Sequence, residues 1–444
     1  MVLSNTSPAI AGTISGGSNE KPALNNSIMD LVLSSENMHK AWKQVKCNGG
    51  SPGIDGMTIE EFPEYLKSRW VKIKRALLLG YYVPSPVRKV EIPKKSGGKR
   101  MLGIPSVLDR VIQQAISQVL NPMFDPDFSE SSHGFRPGRS AHGAVKQVNG
   151  YIKSGYKYAV DLDLEKFFDT VNHDILMHLV ARIVKDKSVL KLIGKYLRAG
   201  ILDRDGTVHP TEIGTPQGGP ISPLLSNILL DQFDKELEKR NLSFARYADD
   251  CIILAKTKRD GKNILSEVST YLGRKLKLVV NKEKSKVAKT GDCSFLGFTF
   301  KGKKIRWTEK SFEDFRYQLK YLTRRSWGVS MEYRMYKLKM YIRGWMNYYG
   351  ISQYYRPLQN LDDWLRRRIR MCYWKQWRHP RTKVRKLMEL GIPRDFAVIA
   401  GSSSKAYWHL SKCYATNAGM SNDWLEKQGL VNIKDLWCKA QGYK

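Results

Sequence analysis

The chain has 444 residues, 42% of them hydrophobic and 11% aromatic, which is enough apolar material for several packed cores and excludes a wholly disordered protein. Lysine and arginine together number 75 against 42 acidic residues, and the net charge of +33 predicts a polyanionic partner, most simply nucleic acid. Charge alone would also fit a generic basic protein of the ribosome or of a membrane surface.

The sequence gives no indication of a membrane span, a signal peptide or a zinc knuckle. No apolar run approaches the ~20 residues of a membrane span, so no membrane association is expected. The six cysteines are scattered singly, without a Cys-x-x-Cys pair, which favours reduced thiols in the cytoplasm. Residues 1–26 are rich in Ser, Gly and Asn and lack the apolar core of a signal peptide. They are predicted to form a disordered tail.

The N-terminal third is predicted to be mainly helical, with one hairpin. Apolar residues recur at helical spacing over 31–45 and stop at Gly49-Gly50. Further predicted elements are helices over 58–79 and 109–122, the second closed by Pro122, and strands over 87–92 and 100–104 that enclose a basic loop.

The central third alternates strands and helices. Its predicted elements are strands over 158–164, 244–246, 251–254, 276–280 and 295–300, with helices beginning near His173 and Ser222. From about residue 310 the chain becomes helical, aromatic and strongly basic, and Pro380 and Pro393 bracket a further helical piece. This order indicates an α+β fold in which acidic residues lie at strand ends and turns.

Adjacent carboxylates occur at Tyr247-Ala-Asp-Asp250, between two apolar β-type runs, where a hairpin would present both acids at its tip. Two neighbouring acids repel each other unless they are exposed or bind a cation, and Mg²⁺ prefers such oxygen ligands. Asp161 and Asp163 would share one face of another strand, because side chains alternate along a strand. Two metal ions ~3.5–4 Å apart can activate a primer 3′-hydroxyl and stabilise the leaving pyrophosphate. An isolated Asp-Asp pair is more often solvated charge, so the flanking strands are the informative feature.

Four segments together resemble successive motifs of the reverse transcriptases, in the order in which that family has them. These segments are Val160–Asp169, Gly214–Pro223, Tyr247–Asp250 and Phe295–Phe298. The resemblance implies a right-hand polymerase whose catalytic and metal-binding triad is Asp163, Asp249 and Asp250. It adds Leu164 to the metal site and leaves Asp161 as a lesser candidate. It also implies two Mg²⁺ ions, for which Mn²⁺ can substitute.

The same resemblance assigns residues to the incoming nucleotide and the template. Phe168 falls where the family places the ring that blocks a ribose 2′-hydroxyl, so deoxynucleotides are the expected substrates; a buried core Phe is the alternative. Gln217 and Gly218 are expected near the incoming base and template. An ordinary Gly/Pro turn is the plain alternative for that segment, whose glycines would otherwise allow close backbone approach.

Three basic residues are expected to contact phosphates. Lys94 and Arg100 match positions that hold the triphosphate in the family, and arginine suits bidentate phosphate contact. A solvated basic loop is the alternative for both. Arg136, in the His-Gly-Phe-Arg segment that begins at His133, is expected to contact the nucleotide or nucleic acid.

A finer resemblance is to the reverse transcriptases encoded by bacterial group II introns. The Ala of Tyr-Ala-Asp-Asp supports it, as do the segments Ser51–Gly56 and Gly344–Gly350. The second of these segments looks like part of the thumb, also called the maturase or X domain. Many relatives continue into a His/Asn/Cys-rich endonuclease domain that is absent here. The chain therefore resembles the compact class C lineage, and second-strand cleavage is not expected.

Arginines and aromatic residues are interleaved in this helical region. The arginines expected to contact nucleic acid are Arg324, Arg325, Arg343, Arg366, Arg367, Arg368 and Arg370. Their guanidinium groups would contact phosphates, whereas the aromatic rings either pack in the core, the commoner case at helical spacing, or stack on bases.

The resemblance divides the chain into five parts. They are the tail 1–26, an N-terminal extension with fingers over 27–157, the palm over 158–305, the thumb over 306–378 and a small helical DNA-binding region over 379–444. We expect an RNA-directed DNA polymerase that copies intron RNA into DNA during retrohoming and assists splicing as a maturase.

The expected partners are group II intron RNA, an RNA template with a DNA primer, target DNA and deoxynucleotides. The expected location is the cytoplasm, in association with the nucleoid or a ribonucleoprotein. Two alternatives stay open: a domesticated relative in DNA repair or phage defence, and an RNA-binding splicing factor without polymerase activity.

Overall fold

The computed structural model of the protein describes residues 27–93, 97–203, 205–215 and 218–443. Helices dominate both ends of the chain and sheets occupy its middle, which confirms the predicted α+β class. Across the described residues, no helix combines the length and the apolar character that crossing a membrane requires.

The N-terminal part is built from five helices, the first four of which pack in the largest core and the fifth in a smaller one. These helices are α1 (Ile28–Val32), α2 (Ser35–Asn48), α3 (Phe62–Leu78), α4 (Val107–Phe124) and α5 (Ala141–Lys153). The single helix predicted over 31–45 was wrong, because the chain breaks at Ser34, whose side chain accepts the Asn37 amide and caps α2. Pro122 lies inside α4 instead of closing it.

Ten strands form three sheets in the described residues. They are β1 (Val87–Pro93), β2 (Lys99–Ile104), β3 (Tyr158–Leu162), β4 (Ile201–Leu202), β5 (Val208–His209), β6 (Ser243–Tyr247), β7 (Asp250–Ala255), β8 (Lys286–Lys289), β9 (Phe298–Lys301) and β10 (Lys304–Trp307). The first sheet has the order β2-β1-β4-β5 and contains the predicted hairpin, while β9 and β10 form a separate hairpin.

The second sheet, with the order β6-β7-β3-β8, is the central sheet. All its pairs are antiparallel. Because side chains alternate along each strand, the two faces of the central sheet contribute to two different cores. Val160 and Ile253 face the large helical core, whereas Ala159 and Ile252 face a smaller core under α5. The edge at which β3 ends and β7 begins therefore lies between two packed layers.

One predicted strand of this region, over 276–280, was wrong. A π-helical turn at Leu272–Leu276 is followed by Lys277 with a φ of 57°, and only Val280 forms an isolated bridge, with Leu164. The strand that completes the sheet is β8, which lies farther along the chain.

Helices of the middle and C-terminal parts complete the molecule. Those of the middle are α6 (Phe167–Thr170), α7 (His173–Ile183), α8 (Lys187–Leu197), α9 (Ser222–Lys239) and α10 (Lys258–Tyr271). Those that follow are α11 (Glu309–Leu322), α12 (Met331–Tyr349), α13 (Arg356–Gln376), α14 (Pro380–Glu389), α15 (Arg394–Gly401), α16 (Tyr407–Leu410), α17 (Tyr414–Gly419), α18 (Asn422–Lys427) and α19 (Ile433–Ala440).

The helix α19 returns to the core formed by α11, α12 and α13. Trp437 is buried in that core, and its indole Nε1 donates to the Ser352 carbonyl at 2.7 Å. Asp362 on α13 accepts the backbone amides of Ile433 and Lys434, each at 2.9 Å, and so caps the first turn of α19. The last helix is thus part of the same core as the three helices before residue 378.

Candidate active site

The adjacent carboxylates lie at the tip of a two-residue hairpin, as the sequence predicts. Tyr247 of β6 pairs with Asp250 of β7, which leaves Ala248 and Asp249 as the turn. Ala248 has a φ of 59°, in the left-handed region that two-residue hairpin turns require and that glycine usually occupies. An alanine held in this conformation indicates that its surroundings fix the turn.

Strand β3 brings Asp163 beside this hairpin. Leu162 pairs with Cys251 in the register of β3 and β7, so the next position places Asp163 opposite Asp250. The backbone of Asp163 is held on its other side, where its N–H donates to Ser285 Oγ at 3.0 Å and its carbonyl accepts the Asn281 amide at 2.9 Å. Opposed residues of an antiparallel pair have Cβ atoms about 4.5–5.5 Å apart. The register thus brings the predicted triad together.

Negative charge accumulates at this edge of the sheet. Partial burial, followed by the charges of Asp249, Asp161 and Asp163, raises the pKa of Asp250 to about 6, although its side chain reaches solvent. Burial also raises the pKa of Asp161, with Asp163 adding to the effect and Lys286 opposing it. The neighbouring acids all raise the pKa of Asp250, because each negative charge disfavours its ionised form, and either a proton or a cation would relieve this repulsion.

The donor set fits Mg²⁺ that is bound partly by substrate. Among the described residues, no three His, Cys, Asp or Glu side chains form a ready-made metal cluster. Mg²⁺ is commonly held by one or two carboxylates together with substrate phosphates, so an open group of acids is the arrangement expected before the nucleotide binds. Leu164, predicted for the metal site, follows Asp163 directly; its side chain is buried and its backbone carbonyl is its only possible ligand atom.

Lysine 284 is a site residue that the sequence analysis missed. Its Nζ lies 3.6 Å from Asp163 Oδ2, and both side chains reach solvent. The Asn281–Ser285 turn that positions Asp163 also carries this ammonium group, which partly neutralises the acid group on the open side. No spacing in the sequence connects the turn with β3, because the link is a tertiary contact.

A buried arginine holds the hairpin from behind. Arg246 has an essentially inaccessible side chain whose Nη2 lies 2.5 Å from Asp234 Oδ2, in a pair buried on both sides. Its Nη1 donates at 3.0 Å to Asn227 Oδ1 and to the carbonyl of Ala248, and its Nη2 donates to Ser132 Oγ at 2.7 Å. A buried charge with all these partners fixes the turn that presents the acids.

Glycine 134 explains the His-Gly-Phe-Arg segment. A Cβ atom at Gly134 would lie 2.2 Å from the backbone nitrogen of Ala248, so the two backbones are in direct contact. The Gly134 carbonyl accepts from Asn227 Nδ2 at 2.8 Å, and the His133 amide donates to the Arg246 carbonyl at 2.8 Å. The segment supports the catalytic hairpin from a neighbouring loop.

Arg136, predicted to contact the nucleotide or nucleic acid, points into the protein. Its Nε donates to Asp125 Oδ1 at 2.7 Å, and its two terminal nitrogens donate to the carbonyls of Asp125, Ser129 and Ser132. The side chain is 4% exposed. In this structure Arg136 shapes the loop before Gly134, which favours a structural role over the predicted contact.

Phe168 lines a cleft of about 520 Å³, whose described lining residues do not include Asp163, Asp249 or Asp250. The cleft also contains Gly214, Thr215, Met101 and Gly103, so it joins the β3–α6 connection to strand β2. The Thr215 amide donates to the Phe168 carbonyl at 2.6 Å, and a Cβ at Gly214 would lie 2.9 Å from the same oxygen. Phe168 is partly buried and packs against the large core, so its ring is shared between that core and the cleft, and the core interpretation holds in part.

The other residues that were predicted to contact substrate are described only in part. Gly218 has a φ of 126°, and a Cβ there would lie 2.5 Å from the Gly103 carbonyl, so close backbone approach does require glycine. Lys94 and Gln217 lie outside the described residues. Arg100 is described for its backbone only, which pairs with Ile92 in the β1–β2 hairpin.

The predicted nucleic-acid arginines divide into groups by exposure. Arg324, Arg325 and Arg343 are exposed, whereas Arg366 and Arg367 are partly buried and line one cleft with buried Arg370. Arg368 donates to the side chain and carbonyl of Thr323 and therefore ties α13 to the end of α11.

The C-terminal helices contact the catalytic part through two tyrosines. The ring of Phe298 lies 5.5 Å from that of Tyr348 and 5.3 Å from that of Tyr349. The Tyr348 hydroxyl donates to the Leu296 carbonyl at 2.9 Å, and His142 Nε2 donates to the Tyr348 carbonyl at 2.7 Å. This group, the tyrosine junction, connects α12 with α5 and with the loop before β9.

The tyrosine junction unites two segments that the sequence analysis treated separately. Phe295–Phe298 and Gly344–Gly350 are in contact, and a Cβ at Gly297 would lie 2.7 Å from the Tyr349 hydroxyl. Burial, followed by Tyr349, Tyr247 and Asp250, raises the pKa of Tyr348 to about 12. Tyr348 is therefore within electrostatic range of the catalytic hairpin.

Two family models match successive parts of the chain. Residues 92–300 match the family described as reverse transcriptase (RNA-dependent DNA polymerase), and residues 312–391 match the group II intron, maturase-specific domain. Among solved structures, telomerase from Candida albicans, in complex with a fragment of telomeric RNA, aligns over 70% of this chain and 63% of that one, at 12% identity and a TM-score of 0.43.

Curated relatives include Protein YkfC of Escherichia coli (strain K12), which is 33% identical over 62% of this chain and 78% of its own length. Group II intron-encoded protein LtrA of Lactococcus lactis subsp. cremoris is 35% identical over 58% of this chain and 41% of its own length. The putative COX1/OXI3 intron 2 protein of Saccharomyces cerevisiae is 30% identical over 64% of this chain and 40% of its own length. The chain thus spans about two fifths of the last two relatives. With both domains matched in order, the chain belongs to the family of group II intron reverse transcriptases, RNA-directed DNA polymerases that carry a maturase-specific domain.

Proposed function

We propose that this protein copies group II intron RNA into DNA at a two-metal site formed by Asp163, Asp249 and Asp250, and that it assists splicing of the same RNA. The register of β3 and β7, which sets Asp163 opposite Asp250, is the observation that carries the site assignment. The raised pKa of Asp250 supports it, because excess negative charge at a solvent-accessible strand edge favours cation binding.

Two bound Mg²⁺ ions would supply activation of the primer 3′-hydroxyl and stabilisation of the leaving pyrophosphate. The protein side chains hold the reacting groups. Asp163 and Asp250 present oxygen ligands from neighbouring strands, and Asp249 presents its carboxylate from the turn. Arg246 keeps this turn in place by donating to the Ala248 carbonyl.

The nucleotide would enter the cleft that Phe168 lines. A ring beneath the sugar leaves no room for a 2′-hydroxyl, which selects deoxynucleotides by steric exclusion. Gly214 lets the backbone approach the Phe168 carbonyl closely, and Gly218 lets it approach the Gly103 carbonyl of β2. This arrangement favours DNA over RNA as the product.

RNA binding and maturase activity are proposed for the helical part beyond residue 306. Its exposed arginines, Arg324, Arg325 and Arg343, offer phosphate contacts, and all three lie within the maturase-specific domain. Splicing chemistry would belong to the RNA, with the protein stabilising the folded intron. A DNA primer and target DNA are proposed as further partners.

Primer extension on an RNA template tests the polymerase site. Asp249→Asn removes one charged ligand at almost constant volume, so extension should fall by at least ~10²-fold while RNA binding stays within a factor of two or so. Asp423→Asn, at an exposed carboxylate on α18, is the matched control and should extend normally. Normal extension by Asp249→Asn would refute the site. Tight RNA binding without extension by the unaltered protein would instead favour a splicing factor without polymerase activity.

A further inference from the structure

A second cleft, remote in sequence from the catalytic acids, lies between α13 and residues 408–422. Its volume is about 680 Å³, within the ~300–1,000 Å³ range typical of sites for small ligands. It shares no lining residue with the Phe168 cleft. We call it the α13 cleft.

Positive charge dominates the α13 cleft. Arg366, Arg367, Arg370 and Lys412 line it, and Asp363 is the single acidic residue among the described lining residues. Four cations against one acid leave a net charge of +3. Burial, followed by the charge of Arg366, lowers the pKa of Arg370, which indicates that the guanidinium groups lie close enough to repel one another. An anion would relieve this repulsion.

The arginines differ in how many of their hydrogen-bond donors already have a partner in the protein. Arg370 is buried and donates to the Met420 carbonyl and to Asn422 Oδ1, so it forms the wall of the cleft. Arg366 has a single ion pair, at 2.9 Å, with the exposed Asp363. Arg367 Nε is buried and has no hydrogen-bond partner among the described residues. Arg366 and Arg367 are therefore less completely bonded to the protein than Arg370.

Aromatic rings complete the lining. The Arg367 guanidinium lies 3.8 Å from the centre of the Trp408 ring, and it donates to the Trp408 carbonyl at 2.9 Å. Trp364 lines the cleft as well, with the Arg368 guanidinium 5.0 Å from its ring centre. Guanidinium groups that contact phosphate beside rings that stack on a base are the combination that binds unpaired nucleotides.

We propose that the α13 cleft binds an unpaired nucleotide of a single-stranded RNA or DNA segment. Arg366, Arg367 and Lys412 contact its phosphates, and Trp408 or Trp364 contacts its base. A paired base stays inside a duplex and cannot enter a cleft of this size. The inference rests on the proposed function only in assuming that this protein handles nucleic acid.

Fluorescence anisotropy with a short labelled single strand, without metal or deoxynucleotides, tests the proposal. The double variant Arg366→Gln/Arg367→Gln should weaken binding about 10-fold and lower the slope of log K against log salt by about 1.4, since each single-strand phosphate contact contributes about 0.7. Lys412→Gln, at an exposed residue whose loss cannot unfold the chain, should lower the slope by about 0.7. The double variant Lys40→Gln/Lys67→Gln removes two charges that already pair with glutamates at 2.8 and 2.6 Å, and it should leave the slope unchanged.

The same strand annealed to its complement, and a strand of abasic residues, separate the parts of the proposal. We expect the arginine double variant to lose less affinity for the duplex than for the single strand. We also expect the unaltered protein to bind the abasic strand more weakly than the strand that carries bases. An unchanged slope for Lys412→Gln and the arginine double variant overturns the proposal, and so does an equal loss for duplex and single strand. Asp249→Asn should bind like the unaltered protein, so failure of the catalytic assignment would be seen separately.

Discussion

Two adjacent phenylalanines differ in their exposure by one residue position. Phe167 is 2% exposed and packs in the large core, whereas Phe168 is partly exposed and lines a cleft. Their rings meet edge to face, with centroids 5.2 Å apart, so Phe167 holds Phe168 in place. The residue that we propose to face the nucleotide is therefore positioned by a core residue.

Phe168→Ala should relax sugar selection, because it removes the ring that we place beneath the sugar. We expect the preference for deoxynucleotides over ribonucleotides, measured as a ratio of kcat/KM, to fall by roughly 10-fold or more. Phe168→Tyr keeps the ring and should keep the preference. An unchanged ratio in Phe168→Ala would remove this residue as the selecting group.

The acids of the site could be predicted from the sequence, but their support could not. Asp249 and Asp250 are adjacent, and Asp163 lies in a motif with a recognisable local pattern. Arg246 depends on Asp234, which is only twelve residues away, but also on Ser132, which is more than a hundred residues away. Sequence spacing contains no signal for such a contact, and an arginine next to an exposed turn is usually expected in solvent.

At the scale of elements, the tyrosine junction determines how α12 meets the catalytic part. Tyr348 provides two of its hydrogen bonds, one through its hydroxyl to Leu296 and one through its carbonyl to His142. If α12 contacts nucleic acid, as the proposed function implies, it must keep a constant distance from the Tyr247–Asp250 hairpin. The tyrosine junction can keep this distance constant, because Leu296 and His142 are both bound to Tyr348.

Tyr348→Phe should shorten the DNA made in one binding event, because it removes the hydroxyl contact while leaving the ring in place. Losing one partly buried hydrogen bond costs about 0.5–1.5 kcal/mol, so we expect roughly two- to tenfold fewer nucleotides per event. Product lengths are measured with excess unlabelled template as a trap.

Tyr317→Phe on α11 serves as the control, since its side chain is 68% exposed. Incorporation of a single nucleotide by Tyr348→Phe should stay close to normal, since the acids are untouched. Product lengths equal to those of the unaltered protein would show that the junction does not control the grip on nucleic acid.

Helices and strands were predicted correctly where the hydrophobic periodicity was strong. The predictions failed where tertiary contacts determine a turn. The strands around Asp163 and Asp250 were confirmed because their apolar runs are continuous and flanked by turns. The strand predicted over 276–280 was wrong, since Leu276 and Leu278 are buried by a π-helical turn and not by alternation along a strand. The contact between Phe298 and Tyr348 was invisible because no local pattern joins them.

At the scale of the whole molecule, charge governs how the protein meets its partner. The net charge of +33 comes from the residues beyond the first 26, in which Glu20 and Lys21 cancel. Counterion release from nucleic acid should therefore supply most of the binding free energy. Sequence composition was sufficient to predict this property, because net charge does not depend on the fold.

Affinity for RNA should decrease steeply with salt. For about 6–10 phosphate contacts, the equilibrium constant should fall about 10³- to 10⁵-fold between roughly 50 and 200 mM salt. Filter binding or anisotropy over this range gives the slope, and potassium glutamate in place of chloride serves as an anion control. A nearly flat salt dependence would contradict an electrostatic interface of this size.

The return of α19 to the core of α11, α12 and α13 has a consequence for synthesis. A ribosome releases the chain from its N-terminus, and the parts released first generally fold first. The central sheet can thus form while translation continues, but Trp437 reaches its place only after residue 437 has been synthesised. The central sheet would therefore form before the core of α11, α12, α13 and α19 is complete. A chain held on a ribosome that stalled before residue 437 would contain the sheet but not the finished helical core.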